Sequence, residues 1–173
     1  MKRPYLASLI LLVLILNACA SPQKEIDISG NVKSVGNTVS VNGTTTLESD
    51  SEIKVQIREL GADTVIQEQT AKVDSEGNYS LNLSRDKREE NQKLVVFFQP
   101  DEQSEKIKEI YGEHGENIDE TSAGIFQYSK GGKEYAGIQM FDFIYKVVKG
   151  STGQRTFLTE NFNNPNEQSD SAQ

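Results

Sequence analysis

Apolar residues are distributed along this chain in two different ways. Near the start they form a block at residues 6–16 (LASLILLVLIL), interrupted only by Ser8. From Ile26 onward they alternate with polar residues. Ile26 and Ile28 alternate, Val32 and Val35 follow Gly30-Asn31, and Val39 and Val41 alternate again before Asn42-Gly43. The clearest segment is 52–60, with Ile53, Val55 and Ile57 on one side and Glu52, Lys54, Gln56 and Arg58 on the other. A period of two marks a half-buried strand, because successive side chains leave a strand on opposite faces. Gly61-Ala62-Asp63 then turns the chain and 65–73 reads as a weaker return strand, so 52–73 is expected to be a hairpin. After a second turn at 74–78, Tyr79, Leu81 and Leu83 alternate with Ser80, Asn82 and Ser84. The charged run 85–90 (RDKREE) reads as a loop. The unbroken run 94–98 (LVVFF), ended by Pro100, has the pattern of a strand covered on both faces or lying at the centre of a sheet.

Beyond Pro100 the alternation lapses. Residues 102–111 fit either a short helix with Ile107, Ile110 and Tyr111 on one side, or a strand with Ile107 and Tyr111 inward. A glycine-bracketed loop follows at 111–116. The β pattern resumes at 125–128 and 135–148, joined by the turn Lys130-Gly131-Gly132-Lys133. Ile138, Met140 and Ile144 alternate with Phe141, Phe143, Tyr145 and Val147, which predicts a long strand with a bulge or one covered on both sides. From Gly150 the chain turns polar; Thr156-Phe157-Leu158 offers a few residues to dock, and disorder is expected beyond Asn161. Strands separated by turn signals at this spacing predict an all-β fold. The expected architecture is a single antiparallel Ig-like β-sandwich over 26–149, with a short helical or irregular segment near 102–120.

Composition tightens this picture. Of 61 residues in the set AVILMFWYC, 13 lie in the first 18 positions, which leaves a thin supply for the core of the remainder. The single Cys excludes a disulfide framework, and 18 Lys and Arg against 26 Asp and Glu repel nucleic acid.

The first 19 residues carry the most specific signal. Lys2 and Arg3 precede an apolar block too short to cross a bilayer, the form of a secretory leader. Leu16-Asn17-Ala18-Cys19 resembles the bacterial lipobox, with Leu three places before the Cys and a small residue just before it. The resemblance implies cleavage between Ala18 and Cys19 and a diacylglyceryl group on the Cys19 thiol, often with a further fatty acyl chain such as palmitate on the new amine. Residues 1–18 would be the leader and 19–25 a lipidated N-terminus and tether. The body would be displayed on the extracytoplasmic face of the cell membrane, with multiple acyl chains giving stable anchoring. Without Lys2 and Arg3 the mature chain has 16 basic and 26 acidic residues, a charge of −10.

A second resemblance concerns the body. Residues 73–83 (VDSEGNYSLNL) resemble the D-x-x-G-x-[YF]-x-[LF] pattern of bacterial surface Ig-like and transthyretin-like sandwiches, through Asp74, Gly77, Tyr79 and Leu81. With the preceding hairpin, the likeness is to Ig-like modules on exported lipoproteins of Gram-positive bacteria. It implies binding, spacing or scaffolding, with a protein or envelope polymer as partner and no cofactor.

Chemistry-bearing residues are few. His114 is the only histidine, and with Cys19 lipidated no cysteine nucleophile or multi-histidine zinc site can be assembled. No catalytic residues are assigned. Residues 101–120 hold eight carboxylates, among which Glu113, Glu116 and Asp119 are weak calcium candidates, although no EF-hand spacing is present. A small envelope hydrolase using this acidic stretch, or a solute-binding lipoprotein of a transporter, are the rival readings. Phe126, Tyr111, Tyr128, Tyr135 and Tyr145 are assigned mostly to the core, since no Trp is available to fill it.

Overall fold

The computed structural model describes residues 22–87 and 89–164. The leader, Ala18, Cys19 and residues 165–173 lie outside them. Eight-residue strands β1 (Ile28–Val35) and β2 (Thr38–Thr45) form a hairpin around Gly36, whose φ of +57° suits a tight two-residue turn. The hairpin expected at 52–73 is β3 (Glu52–Glu59) with β4 (Val65–Lys72), their register shifting between Ile57 and Arg58. Then follow β5 (Asn78–Ser84) and β6 (Gln92–Phe98), a 3-10 turn (Pro100–Glu102) and helix α1 (Glu105–Tyr111). A second hairpin, β7 (Ile125–Lys130) and β8 (Lys133–Ile144), turns at Gly131-Gly132, and β9 (Gln154–Phe157) ends the order. No described helix is long and apolar enough to cross a membrane.

The strands make two antiparallel sheets, β5-β2-β1-β9 and β4-β3-β6-β8-β7. Two sheets facing one another are the expected all-β sandwich. The order β5-β2-β1 against β4-β3-β6-β8 places neighbours as the E-B-A and C′-C-F-G strands of immunoglobulin-type sandwiches do. Alternation explains the core: Val32, Val39, Val41, Leu81 and Leu83 from the first sheet meet Ile53, Val55, Ile57, Leu94, Val96, Phe98 and Ile138 from the second. The central position of β6, between β3 and β8, accounts for its unbroken apolar run. The 74–78 turn is built as its residues suggest. Asp74 Oδ1 accepts the amides of Glu76 (2.9 Å) and Asn78 (2.8 Å), and Gly77 takes a φ of +79°. Tyr79 follows in the core and its hydroxyl donates to the Ser29 carbonyl at 3.0 Å.

Two open points resolve. Residues 102–111 are helical from Glu105 to Tyr111, and the burial of Ile107 and Tyr111, four apart, is the helical spacing. The long strand β8 pairs with β6 in unbroken register from Gln92↔Ile144 to Phe98↔Ile138, so it is not bulged there, and its Ile138, Met140 and Ile144 lie in the core. Its outer rings Phe141 and Phe143 pack with Phe162, over which Lys93 Nζ stands at 5.1 Å.

The body is larger than the boundary at 149 allows. β9 pairs with β1 through Asn31↔Phe157 to Ser34↔Gln154, Leu158 packs on the core, and Thr159 pairs with Phe141 of β8. The C-terminal segment therefore spans from the first sheet to the second, and Phe162 anchors it past Asn161. Its polar composition hides this, because a strand at a sheet edge needs few apolar residues. A chain ending at residue 149 should lose about 2 kcal/mol or more of stability in urea unfolding, since Leu158 and the β9 pairing go together; a chain ending at residue 164 should unfold like the full one.

Candidate functional site

The acidic stretch 101–120 is a set of local contacts and not a convergent site. Asp101 accepts from Lys130 at 2.7 Å and from the Tyr128 hydroxyl, and Glu102 contacts Lys54 and Lys130. Burial alone would raise Asp101, but Lys130 and Tyr128 outweigh it and hold its carboxyl below the usual range. Lys54, first, holds Glu102 low in the same way. The calcium candidates do not come together. Glu116 accepts the His114 amide at 2.8 Å, Asp119 accepts the Thr121 amide at 2.8 Å, and Glu113 is exposed. Among the described residues no three His, Cys, Asp or Glu side chains are grouped as a metal would need.

The aromatic residues divide. Tyr111 lies in the core edge-on to Phe98, with ring centres 5.0 Å apart. Tyr135, Tyr128 and Phe126 instead stack on one another along β7 and β8 at 5.2–5.3 Å, and His114 extends the stack at 4.9 Å from Tyr135. His114 is thus a half-buried packing residue. Tyr145, expected inside, is 48% exposed.

That exposed ring belongs to the end of the sandwich where β1 and β8 finish. The N-terminal segment enters at the other end: Lys24 pairs with Ile118, and the Ile26 amide donates to Ser122 Oγ at 2.9 Å. Apolar residues Ile26, Leu47, Ile107, Tyr111 and Ile118 close the core there. The far end is closed by polar groups. Arg85, the first residue of the charged run expected to be a loop, is 1% exposed. Its Nε donates to Gln92 Oε1 (2.6 Å), Nη2 to the Glu90 carbonyl (2.7 Å) and Nη1 to Ser34 Oγ (3.3 Å). All three acceptors are neutral, and burial pulls the guanidinium pKa down from its ordinary value. Gln92 Nε2, also buried, has no partner.

Against this seal lies a cavity of about 650 Å³. It is lined by Ser34, Asn91, Tyr145, Lys146 and Val148 together with Gln154 and Arg155 of β9. No lining residue is acidic. Sequence reading missed the site, because its residues are scattered over four segments that only the closure by β9 brings together.

One further buried group lies on the inward row of β8. Asp142 accepts from Thr156 Oγ1 of β9 and from the Phe143 amide, and it meets no cation among the described residues. Burial raises its carboxyl to about pH 6, against the pull of those two hydrogen bonds.

In comparison with known proteins, the chain matches no family model, no curated protein and no solved structure.

The Asp142 carboxyl has a direct consequence for stability. An unfolded Asp ionises near pH 4, so between about pH 4 and 6 the folded state holds more protons. Stability should fall as pH rises through that window, by about 3 kcal/mol in all. Asp142→Asn should flatten the dependence and be the more stable form at pH 7.5, as read by urea unfolding at a series of pH values.

Proposed function

We propose that the chain is a lipid-anchored bacterial lipoprotein whose sandwich is a non-catalytic binding module on the extracytoplasmic face of the membrane. Cys19 carries the diacylglyceryl anchor after cleavage behind Ala18. The partner is a protein or a polymer of the envelope. The resemblance of residues 16–19 to the lipobox supports the anchor. One structural observation supports the module: the N-terminal segment and the cavity beside Ser34 lie at opposite ends of β1. Lys24 is already docked, its amide on the Asn117 carbonyl at 2.7 Å and its carbonyl receiving the Asp119 amide at 2.9 Å. Five residue steps separate Cys19 from this docked Lys24, and they reach at most about 17 Å. Tethered so, the body stands close to the bilayer with Ser34 and the cavity turned outward, about 20 Å along β1 from Ile28.

The same geometry weighs against the rivals. A hydrolytic acid needs a carboxyl held protonated, and Asp101, Glu102 and Asp119 are unsuited to that role because their hydrogen bonds favour the ionised form. A solute-binding protein of the two-lobed type closes its cavity between lobes, whereas this cavity opens at the rim of one sandwich.

Expressed in a bacterium, the wild-type chain should partition into the detergent phase on Triton X-114 extraction, while Cys19→Ala should appear in the aqueous phase. Intact-mass analysis should find a mature terminus at Cys19 bearing diacylglycerol. An intact leader, or a processed chain with a free thiol, would overturn the anchor.

A further inference from the structure

Resting on the reading of the chain as an envelope binding module, we infer that the rim cavity binds an anionic polymer of sugar or polyol units. Lys146 and Arg155 hold its charged groups, and Tyr145 and Val148 receive its carbon skeleton.

The first argument is the distribution of charge. Elsewhere on this acidic chain most of the described cations are matched, among them Lys54 with Glu102, Lys87 with Glu59, Lys93 and Arg58 with Asp63, and Lys130 with Asp101, with Lys24 and Lys133 the exceptions. Around the cavity they are not. Lys33, Lys146, Lys149 and Arg155 meet no carboxylate among the described residues. Strands β1, β2, β5 and β9 contain no Asp or Glu at all, although the chain has 26. Lys33 and Arg155 are moreover direct cross-strand partners. Like charges placed opposite one another destabilise a strand pair, and an anion bound between them removes that cost.

The second argument is the buried cation behind the wall. Arg85 bonds to the Ser34 hydroxyl, and Ser34 lines the cavity. A guanidinium with no carboxylate partner in a low-dielectric interior projects its field outward with little screening. Lys146 and Arg155 at the rim add to that field.

The third is shape. A volume of about 650 Å³ accommodates a few saccharide or polyol units. Tyr145 and Val148, 48% and 54% exposed, stand among polar and charged neighbours instead of forming the contiguous apolar centre of a protein interface. Such separated apolar and cationic groups match a chain in which carbon units and charges alternate. The Arg155 fork suits phosphate and carboxylate equally. The cavity lies at the end of β1 opposite the docked N-terminal segment, which excludes the headgroups of the protein's own membrane as the occupant.

The test uses the full mature chain from residue 19 in non-ionic detergent, titrated with poly(glycerol phosphate), polygalacturonate, dextran and poly-glutamate. At least one of the two anionic polymers should bind, more weakly as salt rises, and dextran should not. The tighter of the two identifies phosphate or carboxylate as the recognised group. The double variant Lys146→Gln, Arg155→Gln should weaken binding tenfold or more, while Lys133→Gln, an exposed cation on the β7–β8 turn, should leave it unchanged. Matched melting temperatures establish that the variants fold; if Arg155→Gln disturbs β9, Lys146→Gln alone carries the comparison. Absence of binding to both anionic polymers, an equal loss with Lys133→Gln, or poly-glutamate binding as tightly as either polymer would overturn the site. Lipid on Cys19 does not enter this measurement, so failure of the site and failure of the anchor are read separately.

Discussion

Everything in this sandwich depends on how its two open ends are sealed. Two facing sheets bury their inward rows by alternation alone, but the strands stop, and at each end the core would meet water. One end is closed with side chains that belong in a core: Ile26, Leu47, Ile107, Tyr111 and Ile118, with the Tyr111 hydroxyl taking the Glu48 amide at 2.8 Å. The other is closed by Arg85, Gln92 and Ser34. Burying a guanidinium without a carboxylate is unfavourable even when three neutral acceptors hold it. A Leu or Met in its place would serve the core at least as well. The polar closure is therefore difficult to explain by folding alone, and it stands directly behind the cavity.

The sequence conveys the two-sheet body well and its ends poorly. The alternation in 52–60, the two-sided apolar run at 94–98 and the Asp74–Gly77 turn each express a local rule, and each is found where it was expected. The helix Glu105–Tyr111 is short enough that Ile107 and Tyr111 fit two periods equally, so only the tertiary setting decides. Arg85 shows the opposite difficulty. It opens a six-residue charged run whose other described residues are exposed, and nothing in that run marks one cation for the interior. Burial of a single long side chain at a loop hinge depends on residues such as Ser34 and Gln92, 51 and 7 positions away.

The candidate site shares that difficulty because β9 assembles it. Gln154 and Arg155 lie in a polar segment with the composition of a tail, yet Gln154 takes the Tyr145 amide at 2.8 Å and pairs with Ser34. These contacts fix the segment 145–153 between two strands and bring Tyr145 and Lys146 across from Arg155. The signal available in the sequence was slight: a short β-branched and aromatic stretch, Thr156-Phe157-Leu158, following a glycine turn.

Asp142 ties this closure to the interior. Its carboxylate receives Thr156, one residue from Arg155, and its burial without a cation disfavours the ionised form that neutral pH demands. A hydrophobic residue at 142 would continue the row of Ile138, Met140 and Ile144 without such a cost. What the carboxylate provides instead is a specific hydrogen-bonded seat for β9, fixing its register on β1 and so the spacing between Arg155 and Lys146. The same end thus contains a buried cation behind the cavity and a buried anion beneath the strand that completes it. In a body with so few apolar residues, placing both unfavourable groups at one end is the arrangement expected when that end is shaped by what it holds and the other by the need to stay closed.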